Sequence, residues 1–260
     1  ANQKYIEGKN RVSLDFNFKE LNFNYRSAKN IVSFANLIQL LRGVLFNNKN
    51  IQPQKSWKDD LTDPPPIYST ESPEFQEILE SEAEIVIIVP CEEGHETDYV
   101  KNDPLLKRIA LRKNKVTRNI LSPIQAKGLE YSRVVIYKFG DSCLKYSVHK
   151  DLIKILEQCY WTRPLEGEKH IPSTYFLNKL YVAVSRAQNK LYVADTNGGI
   201  KKFWKFATDG KIIENLRVSY SGKDKWSAGD VINLEQGGRE SWDEDKSSSS
   251  EQADNFFKNG

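Results

Sequence analysis

The sequence predicts an α/β protein with a mostly parallel β-sheet and helices on both faces. Two observations carry that expectation. Short apolar runs rich in β-branched residues recur along the chain, notably Glu84–Pro90 (EIVIIVP), Val134–Phe139 (VVIYKF) and Lys190–Ala194. The first suits a central parallel strand buried on both faces. Longer segments with helical spacing lie between such runs, and that alternation indicates βαβ units.

Taken in order, residues 1–20 read as an irregular lead-in. Asn30–Phe46 (NIVSFANLIQLLRGVLF) carries apolar residues at helical spacing and is expected to be an amphipathic helix capped from Ser27. Asn47–Pro66 collects Asn, Lys, Asp and a triple proline, the chemistry of a loop. Pro66–Ser69 is a brief strand, and Ser72 caps a helix that runs through Glu80. Residues 95–113 are helical with a break near Pro104, because proline cannot continue a helix from the residue before it. Val116–Leu121 is a further strand, Leu152–Trp161 and Tyr175–Ala187 are helices, and the sequence holds no internal repeat. Past Val218 the pattern fades into Gly, Ser, Asp and Lys. One domain is therefore expected over 1–217 and a flexible, polar acidic tail over 218–260, with 234–260 disordered or an interaction tail.

Composition narrows the class. Hydrophobic residues make up 39% and charged residues 28%, as in a globular protein with a polar tail. No stretch approaches the ~18 consecutive apolar residues of a membrane span, so no membrane partner is expected. The start, ANQKYIEGKN, has no apolar secretory region. Cys91, Cys143 and Cys159 lie far apart with no CxxC pairing, which argues for reduced thiols and a cytoplasmic or other intracellular setting. His95, His149 and His170 have no ligand spacing with any cysteine, so no metal site is indicated. The net charge of +3 hides a basic run at Lys101–Arg118 and an acidic, serine-rich stretch at Glu235–Asp254. The basic run is either a solvated helix face or a phosphate-contacting surface. The five tryptophans, Trp57, Trp161, Trp204, Trp226 and Trp242, read as packing residues, with Trp242 the one placed to face a partner. Methionine is absent even at position 1, as expected of a portion of something longer.

Three strings concentrate the chemistry. In Leu21–Asn36 (LNFNYRSAKNIVSFAN), Arg26 precedes a helix and can aim its planar fork at a phosphate, while Tyr25 offers a face on which a base can stack. In Ser122–Val135 (SPIQAKGLEYSRVV), Gly128 permits backbone conformations closed to other residues, and Glu130 can accept from a ribose hydroxyl. In Asn178–Asp195 (NKLYVAVSRAQNKLYVAD), Arg186 ends an apolar segment. Each string alone also fits an ordinary structural role: a surface arginine, a strand-entry turn, or a core helix with one exposed cation.

In this order, the three strings resemble motifs IV, V and VI in the second RecA-like motor domain of UvrD/Rep-type superfamily 1 DNA helicases. The resemblance implies a RecA-like sheet and an ATP site with Mg²⁺ shared with an N-terminal motor domain of the same protein. It implies that Tyr25 packs on adenine, that Arg26 reaches the γ-phosphate, and that Gly128 and Glu130 lie on the nucleotide side. Ser122, Gln125 and Lys127 would face single-stranded DNA. Arg186 would act as an arginine finger, a device worth ~10³–10⁵ in rate where measured. Asn2-Gln3 resembles the tail of motif III, which makes Gln3 a further nucleotide contact. Ile124 stands where many members carry a histidine, which removes one DNA contact. The phosphate-cradling GxxxxGK[ST] loop is absent, so this chain alone is expected to be inactive as an ATPase. A non-catalytic nucleic-acid- or protein-binding module that keeps the motor fold is the alternative reading. Residues 141–177 form an insertion between the second and third motifs to which the resemblance gives no role.

Overall fold

The computed structural model describes residues 23–58, 63–82, 84–112, 115–159, 161, 164–165, 167–220 and 223–237. Gln3, the lead-in over 1–20 and Trp242 lie outside the described residues. The first half runs β1 (Phe23–Asn24), α1 (Lys29–Leu45), β2 (Lys55–Ser56), β3 (Pro66–Ser69), α2 (Pro73–Ser81), β4 (Val86–Ile88), α3 (Glu96–Asn102) and α4 (Pro104–Ala110). A hairpin of β5 (Leu111–Arg112) and β6 (Lys115–Val116) precedes β7 (Ile120–Leu121) and β8 (Tyr131–Tyr137). Then come α5 (Phe139–Lys145), α6 (Lys150–Gln158), α7 (Ile171–Val184), β9 (Ala187–Asp195), α8 (Asn197–Lys202), α9 (Lys205–Thr208), α10 (Gly210–Ser219) and β10 (Glu235–Gln236).

Six strands form one sheet in the order β10-β3-β9-β8-β4-β7, and every neighbouring pair is parallel. With helices on both faces this is the α/β arrangement of a RecA-like fold. The side-chain period of a strand explains the two cores. On one face Val86, Ile88, Val134, Ile136, Leu191 and Val193 pack against α1, α5–α7 and α8–α10. On the other, Ile87, Val135, Tyr137, Tyr192 and Ala194 pack against α2, α3 and α4. Strand β4 is buried along its whole length, as its unbroken apolar run predicts.

Local chemistry sets the element ends. Ser72 Oγ accepts from Phe75 N at 3.2 Å, with Pro73 in the first turn of α2. Asp103 separates α3 from α4 and caps the latter, accepting from Leu106 N at 3.0 Å. Four expectations are revised. Ser27 does not cap α1: its hydroxyl donates to Ala187 O at 2.7 Å, because that strand-end carbonyl is buried and needs a donor. The expected strand Val116–Leu121 splits at a bend, since Thr117 N and Oγ1 both bond Ala110 O and close a hairpin on α4. The final helix of the third motif spans Ile171–Val184 rather than Tyr175–Ala187, because Ala187 is drawn into the sheet opposite Tyr131. The packed body also continues past 217. Tyr220, Trp226 and Leu234 are buried, Trp226 Nε1 donates to Ile51 O at 3.2 Å, and β10 extends the sheet beside β3.

Asp195, at the carboxyl end of β9, is wholly buried and accepts four N–H groups. Oδ2 takes Gly140 N at 2.6 Å and Trp204 Nε1 at 2.8 Å; Oδ1 takes Asp141 N at 2.9 Å and Thr196 N at 2.8 Å. One carboxylate thus ties the sheet to the start of α5, the start of α8 and the residue before α9. Gly199 is required by the same contact, because an added Cβ there would lie 2.2 Å from Oδ1. Burial pushes the Asp195 carboxyl up to about 6, against the pull of its four donors. An Asp195→Asn variant places an amide NH₂ against N–H donors in either orientation. It is expected to lower the unfolding free energy by about 3 kcal/mol in urea titrations at pH 7.5. A loss below ~1 kcal/mol would remove this residue from the centre of the fold.

Candidate functional site

The three sequence strings meet at the amino ends of β8 and β9. Parallel pairing sets Tyr131 opposite Ala187, and Tyr131 N donates to Arg186 O at 3.0 Å. The first string is laced to the same place by Ser27 Oγ on Ala187 O (2.7 Å) and Ala28 N on Gln188 O (2.7 Å). Asn24 Oδ1 accepts from Arg26 N and Ser27 N, both at 2.9 Å, and so shapes the turn that presents Arg26. Gly128 has φ +85°, a conformation L side chains rarely adopt. An added Cβ there would meet nothing within 4 Å, so the constraint on this position is conformational.

These tethers place two guanidiniums around one carboxylate. Arg26 Nη1 lies 2.8 Å from Glu130 Oε1, and Gln188 Nε2 donates to Glu130 Oε2 at 2.8 Å. Arg186 is held by Nε on Val182 O (3.1 Å), Nη1 on Leu129 O (3.2 Å) and Nη2 on Ser185 Oγ (3.0 Å). The hydrogen bond from Arg26, then that from Gln188, holds the Glu130 carboxyl below the usual carboxylate range. Burial, then the like charge of Arg26, pulls the Arg186 guanidinium down from its ordinary value. Two cations against one anion leave the cluster with a positive excess. Arg26 Nε is buried and has no hydrogen-bond partner among the described residues. A donor of that kind, beside a surplus cation, suits an anionic group with several acceptor oxygens.

Tyr25 stands next to this cluster, 61% exposed. Its ring lies 5.2 Å from that of Trp57, which is itself 64% exposed. Trp57 was expected to be a packing residue and is not one. The signal against packing was present: it sits in Lys55–Asp60 (KSWKDD) with no apolar periodicity around it. Gln188, the second ligand of Glu130, has no comparable signal beyond its place in the third string.

The second string has a foot at each edge of the sheet. Ile120 and Leu121 of β7 are level, through β4, with Val135 and Ile136 of β8. Tyr131 therefore starts about 13 Å further toward the amino edge, four residues at ~3.3 Å each. Ser122 is 0% exposed at the carboxyl edge, where its Oγ accepts from Gln125 N at 3.3 Å and its carbonyl from Ala126 N at 3.0 Å. Gln125 is half-buried nearby and Lys127 is exposed. The fold thus gathers Tyr25, Arg26, Gly128, Glu130 and Arg186 at one edge and separates them from Ser122. That hydroxyl is committed to its own turn.

The three thiols are buried (Cys143) or half-buried (Cys91, Cys159). Burial pushes the Cys91 thiol up to about 12, and Cys143 and Cys159 are also raised by burial. Among the described residues there is no group of three or more His, Cys, Asp or Glu able to hold a metal ion, and no helix long and apolar enough to cross a membrane.

No protein-family model matches the chain, and no curated protein matches it. Among solved structures it is similar to the C-terminal domain of a possible DNA helicase from Lactobacillus plantarum WCFS1. The two share 18% identity, with 66% of this chain and 88% of that chain covered and a TM-score of 0.33. The likeness to a helicase C-terminal domain is loose, and the side-chain geometry at the amino edge stands independently of it.

The Arg26–Glu130 pair has a direct readout. In ¹³C NMR titrations the Glu130 carboxyl is expected to lose its proton below the ordinary glutamate range. Arg26→Ala should move that midpoint back up, because the largest cause of the shift is removed. A depressed folded-state value favours the fold above the unfolded-state value, and the contribution fades as pH falls through the folded one. An unchanged midpoint in the variant would mean that the pair does not form in solution.

Proposed function

We propose that this chain is the second motor domain of an ATP-dependent DNA helicase or translocase of UvrD/Rep type, acting together with a first motor domain that carries the phosphate loop. The observation that carries this reading is the convergence of Arg26, Glu130 and Arg186 at one edge of the sheet from three distant strings. ATP and its Mg²⁺ would supply the reactive phosphoanhydride and would be held mainly by the first domain. The residues of this chain would bind and orient. The forks of Arg26 and Arg186 would donate to the γ-phosphate oxygens as they gain negative charge, which is the charge offset expected of an arginine finger. Phosphate oxygens would displace the Glu130 carboxylate from Arg26. Gln188 would keep that carboxylate close, ready for a ribose hydroxyl. Tyr25 would face the base.

Residues 122–130 link Ser122 at one edge to Glu130 at the other, so closing the cleft at Glu130 would shift Gln125 and Lys127 along the same segment. Such a link would couple the nucleotide cycle to movement along single-stranded DNA. One observation favours a second reading, a non-catalytic binding module with the same fold. The buried Ser122 hydroxyl and the apolar Ile124 leave that edge poorer in polar contacts than the motif implies.

The 260-residue chain alone is expected to show no ATP turnover. Joined to a first motor domain, it is expected to support ATP hydrolysis stimulated by single-stranded DNA. Arg186→Ala should then cut the rate by roughly 10³-fold or more. Turnover by the isolated chain that survives Arg186→Ala would overturn the proposal, and a joined protein with no DNA-stimulated hydrolysis would favour the module.

A further inference from the structure

Phe23, Tyr25 and Trp57 form one aromatic platform beside the two arginines. Their ring centroids are separated by 5.2 Å (Tyr25–Trp57), 5.9 Å (Phe23–Trp57) and 6.4 Å (Phe23–Tyr25). The platform is built by the backbone. β1 and β2 pair in parallel, Trp57 N donates to Asn24 O at 2.8 Å, and Ser56 Oγ donates to Ser27 O at 2.9 Å. The indole is therefore positioned by the same short segment that presents Arg26. Even so, Phe23 is 44% exposed, and the other two rings lie still further out in solvent. Three large aromatic faces left in water as one patch mark a surface that something covers.

The neighbouring charge identifies the occupant. One end of the surface offers ring faces; the other, one residue on, offers guanidinium donors in excess over carboxylate. A molecule with a planar aromatic end and a polyanionic end matches both. We propose that Trp57 is a base-stacking residue of the nucleotide site, its ring packed at 38° against Tyr25 and its exposed outer face left for the base. This rests on the nucleotide reading given above and adds the residue that sets base preference. Stacking on the exposed indole face ranks bases by stacking area: purines bind better than pyrimidines, and adenine and guanine bind alike.

The test is a ¹⁵N–¹H NMR titration of the whole chain with ATP, GTP, CTP and inorganic tripolyphosphate. ATP and GTP are expected to move both the Trp57 indole resonance and the Arg26 Nε–H resonance; tripolyphosphate moves the arginine alone. CTP is expected to bind more weakly than either purine nucleotide. Trp57→Ala should weaken ATP and GTP about tenfold and leave tripolyphosphate unchanged, and Trp57→Phe should restore binding to within about threefold. If Trp57→Ala leaves ATP affinity intact while tripolyphosphate still moves Arg26, the platform is not a base site and the nucleotide reading survives. If no anion moves Arg26, either in this chain alone or in the chain joined to a first motor domain, the nucleotide reading fails and takes the platform with it. Equal weakening of tripolyphosphate by Trp57→Ala would reduce the indole to a prop for Arg26 and overturn the proposal. So would a Trp57 resonance that responds to deletion of residues 1–20 and not to nucleotides, since the platform would then be covered by this chain's own lead-in.

Discussion

The parallel pairing of β8 with β9 is the constraint from which the candidate site follows. Once Tyr131 lies opposite Ala187, Glu130 and Arg186 have little freedom to be anywhere but side by side. The carbonyls at that strand end then recruit Ser27 and Ala28, which carry Arg26 with them. Each backbone bond contributes only ~1 kcal/mol net, so the register depends on the side chains of both faces. A slip of one residue would exchange Val134 and Ile136 with Val135 and Tyr137. The Tyr137 hydroxyl, which donates to Asp103 Oδ1 at 2.9 Å, would then be buried without a partner.

The two edges of the sheet are finished differently, and that difference locates the chemistry. In open α/β sheets, ligands usually sit beyond the carboxyl ends of the strands. Here that edge is closed by internal pairs. Asp195 consumes four donors, and Lys138 Nζ lies 2.6 Å from Asp103 Oδ2. The amino edge keeps the positive excess and the exposed rings.

Much of the scaffold was legible because its signals are local. The apolar run within Glu84–Pro90 suits a doubly buried strand, and Ser72-Pro73 and Asp103-Pro104 mark helix starts through chemistry that acts within one turn. The misses arose where a distant partner outbid a local preference. Ser27 is a fair cap in isolation, yet Ala187 O claims its hydroxyl. Ala187 continues a helical pattern, yet Tyr131 draws it into the sheet. The stretch after Val218 lacks periodicity, and its buried residues find their places only in the fold: Tyr220 and Trp226 against the loop after α1, Leu234 beside Ala207 of α9.

Local sequence was enough for the class of fold, the central strands and the main helices up to Ala194, and the charged and aromatic residues of the three strings. Period, capping and proline chemistry are properties of neighbours in the chain, and they survive without a structure. Only the tertiary structure decided that Arg26 pairs with Glu130, that Gln188 completes the pair, that Ser122 faces inward and that Trp57 stands in solvent. Those outcomes depend on which strand ends adjoin, and parallel strands adjoin only through crossovers whose destinations no local pattern records.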